Sequence, residues 1–177
     1  MATIDQFKAQ LIQGGQRVNQ FRVSITFPNI VPSAALAGQK LQFLAESAQL
    51  PQSSVSDVQV MYRGRPVHFA GEREFEPWSI EEYNDNDFVV RNAFENRINL
   101  IQRGDSTNGI QAPGQYQVDM QVIATDRNDR PVKTYTFKDA FPTNVGSIQL
   151  DWDANNQIAI FPVTFQYNYW STPDLVR

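Results

Sequence analysis

Strict two-residue alternation is the feature that most limits what this chain can become. In Phe21-Arg22-Val23-Ser24-Ile25-Thr26-Phe27, every second residue is apolar. Phe21, Val23, Ile25 and Phe27 therefore share one face of an extended strand. The same period runs through Val55 to Tyr62, Pro66 to Ala70 and Gln117 to Ala124. Near the end of the chain, Phe161, Val163, Phe165, Tyr167 and Tyr169 stack on one side, as a core row or an aromatic ligand platform. Half-buried strands of this kind need sheets, turns and a second layer to bury their apolar faces.

Punctuation supplies the turns. Arg63-Gly64-Arg65 closes a long hairpin, with a glycine able to take positive φ. Asp126 to Pro131 turns the chain between Gln117–Ala124 and Val132–Lys138. Asp153-Ala154-Asn155-Asn156 suggests a last hairpin, between Ile148–Trp152 and Gln157–Trp170. Leu41 to Leu50, closed by Pro51, and Trp78 to Tyr83 are further strand candidates. Pro28–Gly38, Asp105–Gly114 and Phe141–Gly146 read as loops.

Two segments follow a helical period. Thr3 with Gln6 fits a capping box, Ile4, Phe7 and Leu11 share a face, and Gly14-Gly15 stops the run. From Asp85 to Arg103, Val90, Phe94, Ile98 and Ile101 form one stripe. Asn84 is placed to cap it, Asp85 and Asp87 suit its positive end, and Gly104 ends it. No repeat or linker interrupts the chain. The expectation is a mainly β, sandwich-like or barrel-like domain over 20–170 with one flanking helix, an N-terminal helical arm over 1–19 and a polar tail over 171–177.

Composition removes whole classes of function. The 177 residues suffice for one domain with a sizeable core. With no cysteine there is no disulfide framework or zinc-thiolate site, and one histidine leaves no two-histidine metal centre. A formal net charge of −4 argues against a general nucleic-acid-binding surface. Polarity comes largely from 18 Gln and 13 Asn. Met1-Ala2-Thr3-Ile4-Asp5 lacks the basic start and apolar run of a signal peptide, so folding in a cytoplasm is expected.

The chemical candidates are thin. Asp151-Trp152-Asp153-Ala154-Asn155 opens like a calcium loop, but Asn156 stands where glycine is needed and Pro162 where the closing glutamate belongs. Glu72, Glu74 and Glu76 share a strand face, and with Glu81-Glu82 they could be paired carboxylates of a glycosidase or simply a solvated surface. His68 has no partner that spacing can name. The Arg63-Gly64-Arg65 tip, beside Met61 and Tyr62, has the composition of a contact surface as well as of a solvated turn. Asp57 with Gln59, and Asp119 with Gln121, give two strands a polar face free of lysine and arginine. Side by side, the two hairpins would form a sheet with one apolar and one hydrated, faintly negative face, although an ordinary outer surface has the same composition.

Longer stretches carry a resemblance. Phe141-Pro142-Thr143-Asn144-Val145-Gly146 runs on through Asp151-Trp152-Asp153 to Phe161-Pro162-Val163-Thr164-Phe165 and Tyr169-Trp170. Ala70-Gly71-Glu72-Arg73-Glu74-Phe75 is followed by Trp78 and by Asn84-Asp85. With Leu50-Pro51 and the strand from Phe21, these resemble, in order over about 20–170, the tail tube protein of contractile-tailed bacteriophages. Ile30–Lys40 and the C-terminal tail are longer than in that pattern.

The resemblance implies a structural protein without catalytic residue, metal or cofactor, located in the virion tail after assembly in the host cytoplasm. Six copies would form a ring, two hairpins per subunit would join a continuous β-barrel, and rings would stack into a tube. Its partners would be further copies, a sheath protein, a tape-measure protein, baseplate and tail-terminator proteins, and double-stranded DNA passing without specific binding. Met61, Tyr62, Arg63, Gly64, Arg65 and Pro66 match the family's ring-to-ring loop. Their arginines are expected to meet acids of the next ring, in the Glu72–Glu76 or Asp85–Asp87 region. Asp57, Gln59, Asp119 and Gln121 are expected to line the channel. The same fold in a bacteriocin or a type VI-like injection particle is the nearest alternative, with a monomeric carbohydrate-binding β-sandwich behind it.

Overall fold

The computed structural model describes residues 3–11, 15–106 and 108–173. Gly14, the start Met1-Ala2 and the tail beyond 173 lie outside the described residues. In chain order the elements are α1 (Ile4–Gln10), β1 (Phe21–Ile25), α2 (Ala34–Leu44), β2 (Ala45–Ala48), β3 (Ser53–Tyr62), β4 (Arg65–Phe75), β5 (Trp78–Tyr83), α3 (Val89–Ile101), α4 (Pro113–Tyr116), β6 (Val118–Thr125), β7 (Pro131–Val145), β8 (Ile160–Gln166) and β9 (Tyr169–Ser171).

Strand β7 organises the body. Its first part pairs with β6, from Thr125 opposite Pro131 to Val118 opposite Ala140. Its last part pairs with β8, from Phe141 opposite Gln166 to Val145 opposite Val163. One strand thus belongs to two half-sheets, in the order β1-β6-β7-β8-β5-β2, with β9 on β7 beside this path. All pairings are antiparallel. The path ends at β1 and β2, so the subunit encloses a core without closing a barrel.

Alternation places Val23, Ile25, Met120 and Val122 on the inside from one half, and Trp78, Ile80, Phe161, Val163 and Phe165 from the other. Helix α3 adds Val90, Ala93 and Phe94, all at most 1% exposed. The Phe94 ring lies 5.0 Å from Phe27 and 5.7 Å from Phe165, and Trp78 lies 4.5 Å from Phe137. These tilted and edge-on contacts add to area burial.

Several expectations are corrected. Two helices, α2 and α3, flank the sheets. The expected loop to Gly38 and strand from Leu41 give way to α2, with the strand confined to Ala45–Ala48. Ala34-Ala35-Leu36-Ala37 is strong helix-forming sequence, and Ala37 and Leu41, one turn apart, are fully buried. Asn84 does not cap α3, because its N–H extends strand pairing to Ala159 O at 2.8 Å. The Asp85 carboxylate instead accepts from the Val89 N–H at 3.3 Å. Phe141–Val145 is strand, not loop, with a bulge between Pro142 and Asn144 that accommodates the proline. The final hairpin does not form: both edges of β8 are taken by β5 and β7, so 146–159 is a loop.

Gly146 shows how tightly that loop leaves. Its N–H donates to Pro162 O at 2.7 Å, and a Cβ there would overlap the proline ring, 2.8 Å from Cδ and closer to Cγ. Gly146→Ala should destabilise by about 1–3 kcal/mol, the usual effect of overpacking. Urea unfolding monitored by circular dichroism measures it, and an unchanged midpoint would show that the ring yields.

Candidate assembly surfaces

The β3–β4 hairpin stands apart from the body. It forms its own two-stranded sheet, and among the described residues neither strand packs extensively on another element. Its turn is Arg63-Gly64, with φ of 47° and 78°. Two positive values define the I′ turn, whose twist suits a tight hairpin. Anchoring is confined to the base. Arg73 Nη2 donates to Ser53 Oγ at 2.9 Å, the guanidinium stacks 5.0 Å from Trp170, and Phe75 meets Tyr167 at 6.2 Å.

Register sorts the hairpin into two unlike faces. Val58 opposes Phe69 and Val60 opposes Val67 on one; Gln59 opposes His68, beside Asp57 and Ala70, on the other. Val58, Val60, Val67 and Phe69 are 40–56% exposed, so the apolar face is uncovered in the lone subunit. On the polar face His68 Nδ1 lies 2.6 Å from Asp57 Oδ2, which supplies the histidine partner that spacing could not name. At the tip Met61 and Tyr62 are 64% and 62% exposed, and the Arg63 guanidinium lies over the Tyr62 ring.

The β1-β6-β7 half-sheet presents a second polar face. Asp119 and Gln121 are exposed on β6, with Ser24 opposite Gln121 and Arg22 opposite Ile123 on β1. From β7, Lys138 forms an ion pair with Asp119, and Gln121 Nε2 donates to Thr136 Oγ1 at 3.4 Å. The expected absence of cations on this face is therefore corrected. Neighbouring strands bring Lys138, which pairs with Asp119, and the exposed Arg22, which forms no ion pair among the described residues, so the surface is hydrated and not faintly negative.

These features, an uncovered apolar ribbon face, an arginine tip and an amide-rich sheet, fit a subunit built to be completed by others. A family profile described as phage tail tube protein matches residues 16–173. The chain belongs to the phage tail tube protein family. It is 32% identical over 157 residues to the tail tube protein gp19 of Enterobacteria phage T4, covering 87% of this chain and 90% of that one. It is 31% identical over 173 residues to the tail tube protein of Serratia phage KSP90, covering 94% and 95%. Its fold is similar to a chain of the sheath–tube complex of an extracellular contractile injection system, with TM-score 0.63, 15% identity and coverage of 97% and 98%.

In this tail tube family member the carboxylate candidates separate. Adjacent strand residues point to opposite faces, so Glu81 is exposed while Glu82 is fully buried with Trp78 and Ile80. They cannot flank one sugar. Ser47 Oγ donates to Glu81 Oε2 at 3.0 Å, and neither Glu82 oxygen has a hydrogen-bond partner among the described residues. The aromatic row is core as far as Tyr167, at 3% exposure, and not a ligand platform; Tyr169 leaves it for β9. Asp151 Oδ1 accepts the Asp153 N–H at 3.0 Å, a turn contact. Of the acids expected to receive the tip arginines, Asp85 is already engaged by Lys40 Nζ at 2.7 Å, with Asp87 at 3.5 Å. Glu72 and Glu74 are exposed and form no ion pair among the described residues.

Two charged groups lie in the core, Arg97, which no motif pointed to, and Glu82. Burial lowers the Arg97 pKa to about 10, and its Nη2 donates to Tyr116 O at 2.9 Å and Ala140 O at 2.7 Å, tying α3 to α4 and β7. Burial raises the Glu82 pKa to about 9, against 4.5 in the ordinary state. Between those values the unfolded chain has released a proton that the folded chain keeps. Stability therefore falls as pH rises through that window, by on the order of a few kcal/mol. Glu82→Gln should flatten the profile, with a gain that grows with pH up to about pH 9. Unfolding midpoints at several pH values check this, and parallel profiles for both proteins would contradict it.

Proposed function

We propose that this protein is the tube-building subunit of a contractile phage tail. Residues 20–170 form the ring unit, and 1–19 serve as an arm. Six copies make a ring, and each hairpin adds to a barrel wall shared between neighbours. Rings stack into a tube inside a sheath, between a baseplate and a terminator, around a tape-measure protein and then double-stranded DNA. One observation carries this: the β3–β4 ribbon leaves its apolar face uncovered. A two-stranded ribbon is marginal alone in water, and pairing its edges in a closed barrel removes both liabilities. Kinship in sequence is with phage proteins, and the injection-particle likeness is one of fold, which favours the phage reading. Assembly in the host cytoplasm follows from that reading.

Stacking is heterologous, so one end of the subunit meets the other. The tip arginines lie at one end of the hairpin, and Glu72 and Glu74 near the base, opposite Ser54 and the bulge after Val55. In a stack the Met61-to-Pro66 tip of one ring then approaches the Glu72/Glu74 edge of the next. Arg63→Glu with Arg65→Glu should abolish tubes while leaving folded subunits or rings. Negative-stain imaging and sizing of the purified variant decide it; tubes of normal length would refute the contact.

Asp57, Gln59, Asp119 and Gln121 face the channel in this reading. Duplex DNA carries one charge per roughly 1.7 Å, and unpaired cations along the bore would bind it by counterion release. On this wall Lys138 is held by Asp119 and Asp57 lies beside His68, while Arg22 forms no ion pair among the described residues and is one cation the passing DNA would meet. Gln59→Arg with Gln121→Arg should slow DNA release from intact particles, with steeper dependence on salt. Release followed by dye fluorescence tests it, and an unchanged rate would place these residues elsewhere.

A further inference from the structure

The 146–159 loop carries side chains that the fold does not use. Trp152 is 100% exposed, Leu150 86% and Ile158 66%, while Asp151 and Asp153 flank the indole. A bare tryptophan between two acids is a costly surface unless something covers it.

The complement lies at the other end of the molecule. A groove of about 250 Å³ opens between the segment before β1 and the end of β2, lined by Arg17, Phe21, Ala48, Leu50, Val122 and Ala124. It is smaller than the roughly 300 Å³ at which small-molecule pockets begin, and suits one large side chain. Its floor is apolar, with Val122 and Ala124 at most 3% exposed, and its rim carries the exposed Arg17. Val122 opposes Tyr135 near the start of β7, whereas the loop leaves β7 after Val145. Loop and groove therefore sit at opposite ends of β7, a head-to-tail arrangement that can repeat without closing on itself.

We propose that Trp152 of one subunit seats in the Phe21/Leu50/Val122 groove of a second copy, with Asp151 and Asp153 against that copy's Arg17. Shape and charge select the same occupant: an aromatic anchor bracketed by acids enters an apolar floor rimmed by a cation. Burial of an aromatic anchor is the common centre of a strong interface. The inference rests on the tube reading and adds a second subunit contact, separate from the arginine tip.

Tryptophan fluorescence of the full chain tests it. Trp78 is 2% exposed and Trp170 is half-buried, so Trp152→Phe isolates the exposed component by difference. On assembly that component should shift to shorter wavelength and lose access to acrylamide. Trp152→Ala should raise the concentration needed for assembly by on the order of thirtyfold, as truncating an anchor does, with an unchanged subunit circular dichroism spectrum. Arg17→Glu should also raise it, and adding Asp151→Lys and Asp153→Lys should restore it. Tubes in which Trp152 stays as quenchable as in dispersed subunits, or in which Trp152→Ala assembles normally, would overturn the contact alone. If Leu50→Glu weakens assembly while Trp152 remains accessible, the groove belongs to another segment, such as Phe7 of α1, and the proposal fails. Wild-type protein that never forms rings or tubes would remove the tube reading itself.

Discussion

An apolar ribbon face with nothing beneath it is the constraint from which the assembly of this protein follows. Val58, Val60, Val67 and Phe69 form one side of a two-stranded sheet, and the lone subunit leaves all four at least 40% exposed. Apolar surface contributes roughly 25 cal/mol per Å² when removed from water. The hairpin therefore contributes little to the subunit's own stability and stores most of its burial for association. Its internal ladder and I′ turn hold its shape, while its anchoring at Arg73 and Phe75 leaves the length of the ribbon available to neighbours. In the proposed barrel, covering this face and pairing its edges would be one event.

The body answers this with rigidity. Strand β7 runs through both half-sheets, so a load on the β6 side is transmitted to β8 through one backbone. Arg97 pins α3 to α4 and β7 through two carbonyls. Two groups oppose stability here: the unpartnered Glu82 carboxyl and the Arg97 nitrogens without acceptors among the described residues. Buried polar groups of this kind weaken a fold. In Arg97 the satisfied part of the side chain fixes the position of α3 against α4 and β7.

Much of this was legible in the residues, and the failures have physical causes. Period two located β1, β3, β4, β5 and β6, and the glycine at 64 located the tip, because those signals are local. Parity alone also puts Glu82 on the Trp78/Ile80 face, and helical spacing puts Arg97 on the Val90/Ala93/Phe94 stripe; both could have been read as buried. Helix α2 was hidden because Phe43 is 86% exposed and only Ala37 and Leu41 mark the core side. The end of β7 was hidden because Pro142 and Gly146 read as loop, and only pairing with β8 overrides that. The polar sheet face was recognisable, but its neutralisation was not. Lys138 reaches Asp119 only through the β6–β7 register, a relation between strands that neither strand carries alone. The exposed Trp152 falls at the end of the expected strand Ile148–Trp152, because alternation there mimics a strand, yet β8 has no free edge to pair with it.

Affinity and register come from different surfaces in such a subunit. Apolar burial is strong but non-directional, so a ribbon face alone would tolerate slipped neighbours and irregular aggregates. Charged groups are weak where exposed, yet they penalise wrong juxtapositions and steer encounters. Arg63 and Arg65 sit at the far end of the ribbon from Glu72 and Glu74, so in the proposed contact a displaced copy would lose the charge pairing. In the stack proposed above, the tip would specify the axial position that the ribbon face leaves open. Because tip and base are different surfaces, satisfying one contact always leaves another unsatisfied at the end of the stack. In the proposed stack, growth would continue until a different protein covers that end, which is the property a tube of defined length needs from its subunit.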